Sequence, residues 1–301
     1  MRPIITGFLD HDGTLSFDEQ IELVNKHKLS SICLRQYNQK PLIELKDGEI
    51  KKMIASLKEQ KIKVAIIDTN NRSFDIYDDR KHDETLDEFK YMVKLSDKLK
   101  VTHLFFKLPK FNNVIEEYET IEKRLTPFID VATRHNKKII LLPVNSYKAN
   151  IYAYILKKMK TNILSVAFDP VAIMLNNEPT TTAYRMLKKK IGAFMTVDAD
   201  HQGVPKLIGY GKTDIIPLFK KLLRDRYSGY LLIDNKFKQT VFKPEPIKQG
   251  FFKKLFSVEK KKIENQLNDL SKKIFPNEET KNVTYDDILE NQIKVLKVIF
   301  K

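Results

Sequence analysis

The sequence predicts a (β/α)8 TIM barrel with a helical C-terminal extension, on three observations. Eight short apolar runs recur at the spacing of βα units, most of them end in a polar residue, and the longest polar loops follow strands rather than helices. The runs are PIITGFLD, SSICLR, KVAIID, THLFFK, IILLPVN, LSVAFD, AFMTVD and YLLID, which finish at Asp10, Arg35, Asp68, Lys107, Asn145, Asp169, Asp198 and Asp234. Continuous rather than alternating apolar character is what parallel strands buried on both faces require. Function in such a barrel belongs to the ring of strand ends, so these terminal residues are the first candidates for a site.

Helix signals separate the runs. Ser16 and Glu19 form a capping-box pattern opening SFDEQIELVNKHK. In KDGEIKKMIASLKEQ, Ile50, Ile54 and Leu57 share one helical face. Residues 69–84 read as a long polar loop before the helix TLDEFKYMVKLSDKLK, and residues 108–115 as another before EEYETIEKRLTPFIDVATRH. DADHQGVPKLIGYGKTD joins the seventh strand to its helix. Past residue 240 KPEPIKQG breaks the rhythm, so the barrel is assigned to 1–240 and a basic helical extension to 241–301. Residues 236–301 hold 15 Lys against 9 acidic residues, and GFFKKLF within them has the makings of a lipid-surface contact. The favoured expectation is that the extension packs back on the barrel as its eighth helix plus one more.

The chain's 301 residues and 42% apolar content suffice for one barrel and an appendage. Its net charge of +15 raises a nucleic-acid or anionic-membrane reading. Only 9 of the 54 basic residues are Arg, however, and the lysines are spread along the whole length, the pattern of solvated helix faces. Nucleic acid is therefore not the expected partner. The one cysteine, Cys33, excludes an internal disulfide and reads as a small buried hydrophobe. No apolar stretch reaches the roughly 20 residues of a membrane span, and the N-terminus lacks a secretory h-region, so a cytoplasmic protein is expected.

The opening FLDHDGTLSFDEQIELVNKHKLSSICLRQYNQKPLIELKDGEIKKMIASLKEQKIKVAIID resembles the xylose isomerase-like TIM-barrel superfamily of sugar phosphate isomerases/epimerases and endonuclease IV-type proteins. AFDP and TVDADHQGVPKLIGYGKTDIIPLFKKLLRDRYSGYLLID continue the likeness, which spans about residues 4–236. The resemblance implies a divalent metal bound by Glu, Asp, His and Glu, at positions that here are Val144, Asp169, Met195 and Asp234. Its second-strand Glu falls at Cys33, while the neighbouring Arg35 is kept. It also implies that the two Glu residues act as the acid/base pair of the isomerisation. Valine can neither bind a metal nor move a proton, so the usual arrangement is incomplete.

A remodelled site is then expected from the strand-end carboxylates. Asp169, Asp234 and Asp198 with His201 are the catalytic candidates, and Arg35, Asp68, Lys107 and Asn145 the substrate-binding ones. Asp169 and Asp234 would suit Mg²⁺ or Mn²⁺ as hard oxygen ligands; against that, such Asp residues also cap helices or pair with Arg35 and Lys107. Gly209, Gly211 and Lys212, in GYGK, could cradle a phosphate or simply form a turn. The expected function is isomerase- or epimerase-like action on a small sugar or sugar phosphate, with loss of activity in view. The alternative is a non-catalytic barrel that binds a ligand or partner. An abasic-site endonuclease is disfavoured by only six His. DHDGTL, from Asp10 to Leu15, also matches the phosphoryl-acceptor signature of haloacid dehalogenase-type phosphatases, but the sequence after it follows the barrel pattern.

Overall fold

A computed structural model describes residues 2–11, 13–144, 146–234, 236–237, 242, 253–278 and 281–301, the side chains of 253–263 excepted. Each of the eight apolar runs supplies a strand: β1 Ile4–Gly7, β2 Ser31–Leu34, β3 Lys63–Asp68, β4 His103–Lys107, β5 Lys138–Leu142, β6 Leu164–Phe168, β7 Ile191–Met195 and β8 Tyr230–Ile233. They pair in parallel in the order β1-β8-β7-β6-β5-β4-β3-β2. At the seam Thr6 Oγ1 of β1 lies 3.6 Å from Cys33 Sγ of β2, bringing the ends of the sheet together. Gly7 is required by this packing, because a Cβ there would stand 2.3 Å from the Ile233 carbonyl oxygen of β8.

Two apolar clusters follow from this closure. Phe8, Cys33, Ile66, Phe105, Ile140, Ala167, Met195 and Leu232 fill the interior, and burial pushes the Cys33 thiol up to about 12, as a packing residue allows. A larger shell binds the outer strand faces to the helices, with Phe17, Met53, Phe89, Phe128 and Phe219 at its centre.

The helices are α1 Phe17–Lys26, α2 Asp47–Glu59, α3 Asp79–Lys98, α4 Tyr118–Arg134, α5 Ala149–Lys158, α6 Pro170–Leu175, α7 Thr180–Leu187, α8 Ile215–Arg224, α9 Lys253–Ile274 and α10 Tyr285–Ile299. The Ser16–Glu19 capping box is formed as its spacing predicts. The expected loop over 69–84 is shorter, because Asp78 accepts from the Lys81 amide and starts α3 at Asp79. In the extension, α10 buries Ile288, Leu289, Ile293 and Leu296, and Phe300 just beyond it packs edge-on against Phe219 of α8. Its opposite contact is with α1, where Asp286 binds Lys26 and accepts from His27 at 2.9 Å. The α10 segment thus packs between the first and last helices of the barrel. The lipid-contact reading of GFFKKLF falls outside the described side chains. Among the described residues, no helix is long and apolar enough to cross a membrane.

Candidate functional site

The ends of β2, β3, β4, β6, β7 and β8 open on one mouth, which encloses a cavity of about 420 Å³. Arg35, Asp68, Lys107, Asp169, Asp198 and Asp234, all singled out from the sequence, lie in its wall. Lys206 and Lys236 join them, with Phe8, Phe105, Leu142 and Met195 as an apolar floor. A second cavity of about 570 Å³ shares Arg35, Asp68 and Asn70 with the first. Asn145 lies outside the described residues.

The strongest contact in the mouth centres on Arg35. Its Nε and Nη2 donate to the two carboxylate oxygens of Asp10, each at 2.6 Å, while Nη1 donates to Asp234 at 3.2 and 3.4 Å. The guanidinium also stands 4.7 Å from the centre of the Phe8 ring. Burial opposes the charge of Arg35, but the Asp10 hydrogen bonds and the charge of Asp234 outweigh it and raise its pKa. Asp10 is 3% exposed and engaged on both oxygens. Together with the topology this removes the phosphatase reading: the eight strands form a barrel rather than a doubly wound sheet, and Asp10 is clamped rather than poised as a nucleophile.

Asp68 and Asp169 stand in a different environment. Asp68 ends β3 and accepts from the Asn70 amide at 2.8 Å; burial raises its carboxyl pKa against the opposing pull of Lys107 and Arg35. Asp169 caps α6, its Oδ1 accepting from the amides of Val171 and Ala172, and burial raises its pKa too. Carboxyls displaced upward by burial suit acid/base exchange better than ordinary surface acids do.

Asp198 departs from its expected catalytic place. Its carboxylate accepts from Ala199 N, Gly209 N, Gly211 N, Thr213 N and Thr213 Oγ1, so it pins the following loop and is filled by that task. The same bonds correct the phosphate-cradle reading of GYGK, since the Gly209 and Gly211 amides point at Asp198 and the Lys212 amide at the Ala199 carbonyl. Gly211 is needed for that contact: a Cβ there would stand 2.0 Å from Asp198 Oδ1. Lys212 and His201 are exposed and outside the cavity wall, so neither stands where its expected role required. Their loop instead delivers Lys206, which pairs with Asp200 at 3.3 Å and faces the cavity.

The residues present do not fit the metal site that the resemblance implies. Val144 packs against the outer apolar shell, Met195 lies in the barrel interior, and Asp234 is held by Arg35. Among the described residues no three His, Cys, Asp or Glu side chains are grouped to hold an ion.

Sequence reasoning missed Asp10 as a partner of Arg35, Lys206 and Lys236 as cavity cations, and Gln292, which α10 places in the same wall. A usable signal existed for two of them. Asp10 ends the first strand run, and Lys236 lies two residues beyond the last one.

Solved structures share this architecture. The probable 3-DHS dehydratase AsbF from Bacillus anthracis superposes with a TM-score of 0.65 at 11% identity, covering 99% of this chain and 99% of its own. A D-tagatose 3-epimerase-like protein gives 0.64 at 13%, covering 88% and 99%. The IOLI protein, whose crystal structure holds a zinc atom, gives 0.65 at 17%, covering 91% and 99%. At these identities the likeness is one of fold. Among curated proteins none matches the chain. The family described as xylose isomerase-like TIM barrel matches residues 21–251, most of the length, and the chain belongs to that family.

Proposed function

We propose that the strand-end cavity binds a small anionic carbohydrate, a sugar phosphate or sugar acid, and moves a proton at the carbon beside its carbonyl. The observation that carries this reading is the mixed wall: Lys107, Lys206 and Lys236 line, together with Asp68 and Asp169, a cavity sized for such a molecule. Lysines supply the anion's counter-charge, and carboxylates accept hydrogen bonds from its hydroxyls. The D-tagatose 3-epimerase-like neighbour supports a carbohydrate ligand, and the anionic group is argued from the lysines alone. Isomerisation or epimerisation needs a base for the α-proton, a donor for the developing enediolate oxygen and an acid to return the proton. Asp169 takes the first role, Lys107 the second and Asp68 the third. No step in this scheme passes through a metal.

The experiment is solvent exchange. The full chain is incubated in D2O and EDTA with a panel of ketoses, ketose phosphates and sugar acids, and deuterium beside the carbonyl is read by NMR. Exchange in the wild type, reduced at least 100-fold in both Asp169→Asn and Asp68→Asn, is expected. Exchange that both variants retain overturns the assignment of roles. Binding of a panel member without exchange would favour the non-catalytic alternative, which Val144 and Met195 already suggest by replacing residues the usual chemistry needs.

A further inference from the structure

We propose that the pole of the barrel opposite the mouth is a docking surface for an anionic phospholipid membrane. The inference is independent of what the mouth binds.

In a parallel barrel the helices end, and the strands begin, at one pole. Eight segments meet there: 2–4, 23–31, 56–63, 95–103, 131–138, 155–164, 184–191 and 221–230. The first leads into β1, and each of the others runs from the last turn of a helix to the first residue of the next strand. Within residues 1–235 these segments hold 21 of the 39 Lys and Arg but only 3 of the 30 Asp and Glu. The rest of that stretch is net acidic, with 18 basic residues against 27 acids. Lysines spread along the sequence are therefore sorted in space, because they recur with the βα period. The extension adds to the same pole: Lys297, in the last turn of α10, donates to the His27 carbonyl oxygen at 2.8 Å.

The cations are placed at some conformational cost. Lys28, Lys61, Lys100, Lys160 and Arg226 each follow a helix with φ between 47° and 56°, where Gly or Asn is the least strained choice. Helix dipoles favour positive charge at this end, but their influence fades within a turn and does not account for Arg2 or Lys63 at strand starts. Internal pairing uses only part of the charge. Lys98, Lys137 and Lys188 bind Asp47, Asp97 and Asp225. Among the described residues no ion pair takes up Lys61, Lys63, Lys100, Lys160 or Arg226, all of them exposed.

What stands among the cations selects lipid over nucleic acid. Ile4, Met186, Leu223 and Val298 are between 42% and 64% exposed. They belong to β1, α7, α8 and α10, which adjoin one another and so share one sector of the pole. The exposed tyrosines on which bases could stack, Tyr77 and Tyr210, lie instead in loops beyond strand ends on the mouth side. The turns at the pole are three to five residues long, so it offers no arm or groove-entering helix. Lysines around a patch of apolar tips are what a layer of anionic headgroups accepts. Docked this way, the barrel keeps its mouth open to solution.

The test is co-sedimentation of the full chain with vesicles of phosphatidylcholine, alone or with about a third phosphatidylserine, at about 0.15 M salt. Binding to the anionic vesicles at least 20-fold above the neutral ones, and lost at about 1 M salt, is expected. Each cation at such a surface is worth about a fivefold factor, so Lys61→Gln, Lys100→Gln, Lys160→Gln and Lys189→Gln combined should lower the partition by roughly 100-fold or more. Lys51→Gln, Lys52→Gln, Lys94→Gln and Lys220→Gln remove the same charge from mid-helix and should lower it less than about threefold. Met186→Ser with Leu223→Ser should lower it about tenfold. Amine-reactive labelling of wild type decides if a variant fails to fold: anionic vesicles should protect Lys61, Lys100 and Lys160 and leave Lys51 and Lys94 reactive. Equal binding to both vesicle types would overturn the proposal, as would protection of the mid-helix lysines alone. Random-sequence duplex DNA that binds more tightly than the vesicles and protects the pole lysines would overturn it too, in favour of nucleic acid.

Discussion

Asp198 illustrates how a carboxylate can stand at a strand end and still not be chemical machinery. It collects five hydrogen bonds from four residues, three of which lie 11 to 15 positions further along the chain. That distance explains why its task was illegible in the sequence: the turn that brings Gly209, Gly211 and Thr213 back has no local signature tying it to Asp198. Arg35 and Asp10 were hidden in the same way, 25 residues apart and joined only when the barrel closes. Asp198→Asn puts an amide donor where only donors point, and a loss of about 3 kcal/mol in urea unfolding is expected. A change below about 0.5 kcal/mol would show that the loop does not depend on it. His103 gives a second check. Burial, with Lys138 nearby, lowers its pKa to about 4 in the folded state from the ordinary 6.5. The unfolded chain therefore binds its proton first on acidification. The stability that neutral His103 contributes is complete above about pH 6.5 and is lost as the pH falls towards 4. An NMR titration should show His103 neutral at pH 5.5; a midpoint near 6.5 would contradict its burial.

The strands were the most legible elements, since continuous β-branched and aromatic runs have few other uses at that length. Helix starts were less so. The stretch DIYDDRKHDE contains four Asp residues besides its Glu, and only the fold selects Asp78 as the cap of α3. The extension was expected to be helical, but nothing in its sequence showed that Gln292 of α10 would reach the cavity wall. Its packing is open to test. Leu296 of α10 is fully buried in the outer apolar shell, and Leu296→Ala should cost roughly 2–5 kcal/mol in urea unfolding by leaving a void there. At Asp286 burial raises the carboxyl pKa, but the Lys26 and His27 contacts outweigh it and the net shift is downward. The stability from this clasp is present above the ordinary carboxylate pKa and is lost as the pH falls through the lowered value. Asp286→Asn should flatten that acid limb; an unchanged pH profile would mean that α10 is held by its apolar face alone.

The whole chain couples a +15 charge to a mouth in which acids and bases are interleaved. The excess of lysine is distributed along the sequence and gathers away from the mouth, so the charge describes the surface more than the site. What closure adds is the meeting of β1, β2 and β8, which converts three separate strand ends into one Asp–Arg–Asp bridge. The predicted barrel makes the first and last strands neighbours, as they are, but which side chains bond across that junction follows only from the geometry of the closed sheet. With Val144 and Met195 at two of the implied metal positions, binding is expected to be independent of divalent ions: affinity for phosphate or a sugar phosphate should be the same, within twofold, in EDTA and in millimolar Mn²⁺. The most direct measurement is an anomalous-diffraction crystal structure of the protein grown with Mn²⁺ and inorganic phosphate. The expected map shows Arg35 between Asp10 and Asp234, phosphate against the cavity lysines, and no anomalous peak in the mouth. A Mn²⁺ peak coordinated by Asp169 and Asp234, with Arg35 displaced, would contradict the account.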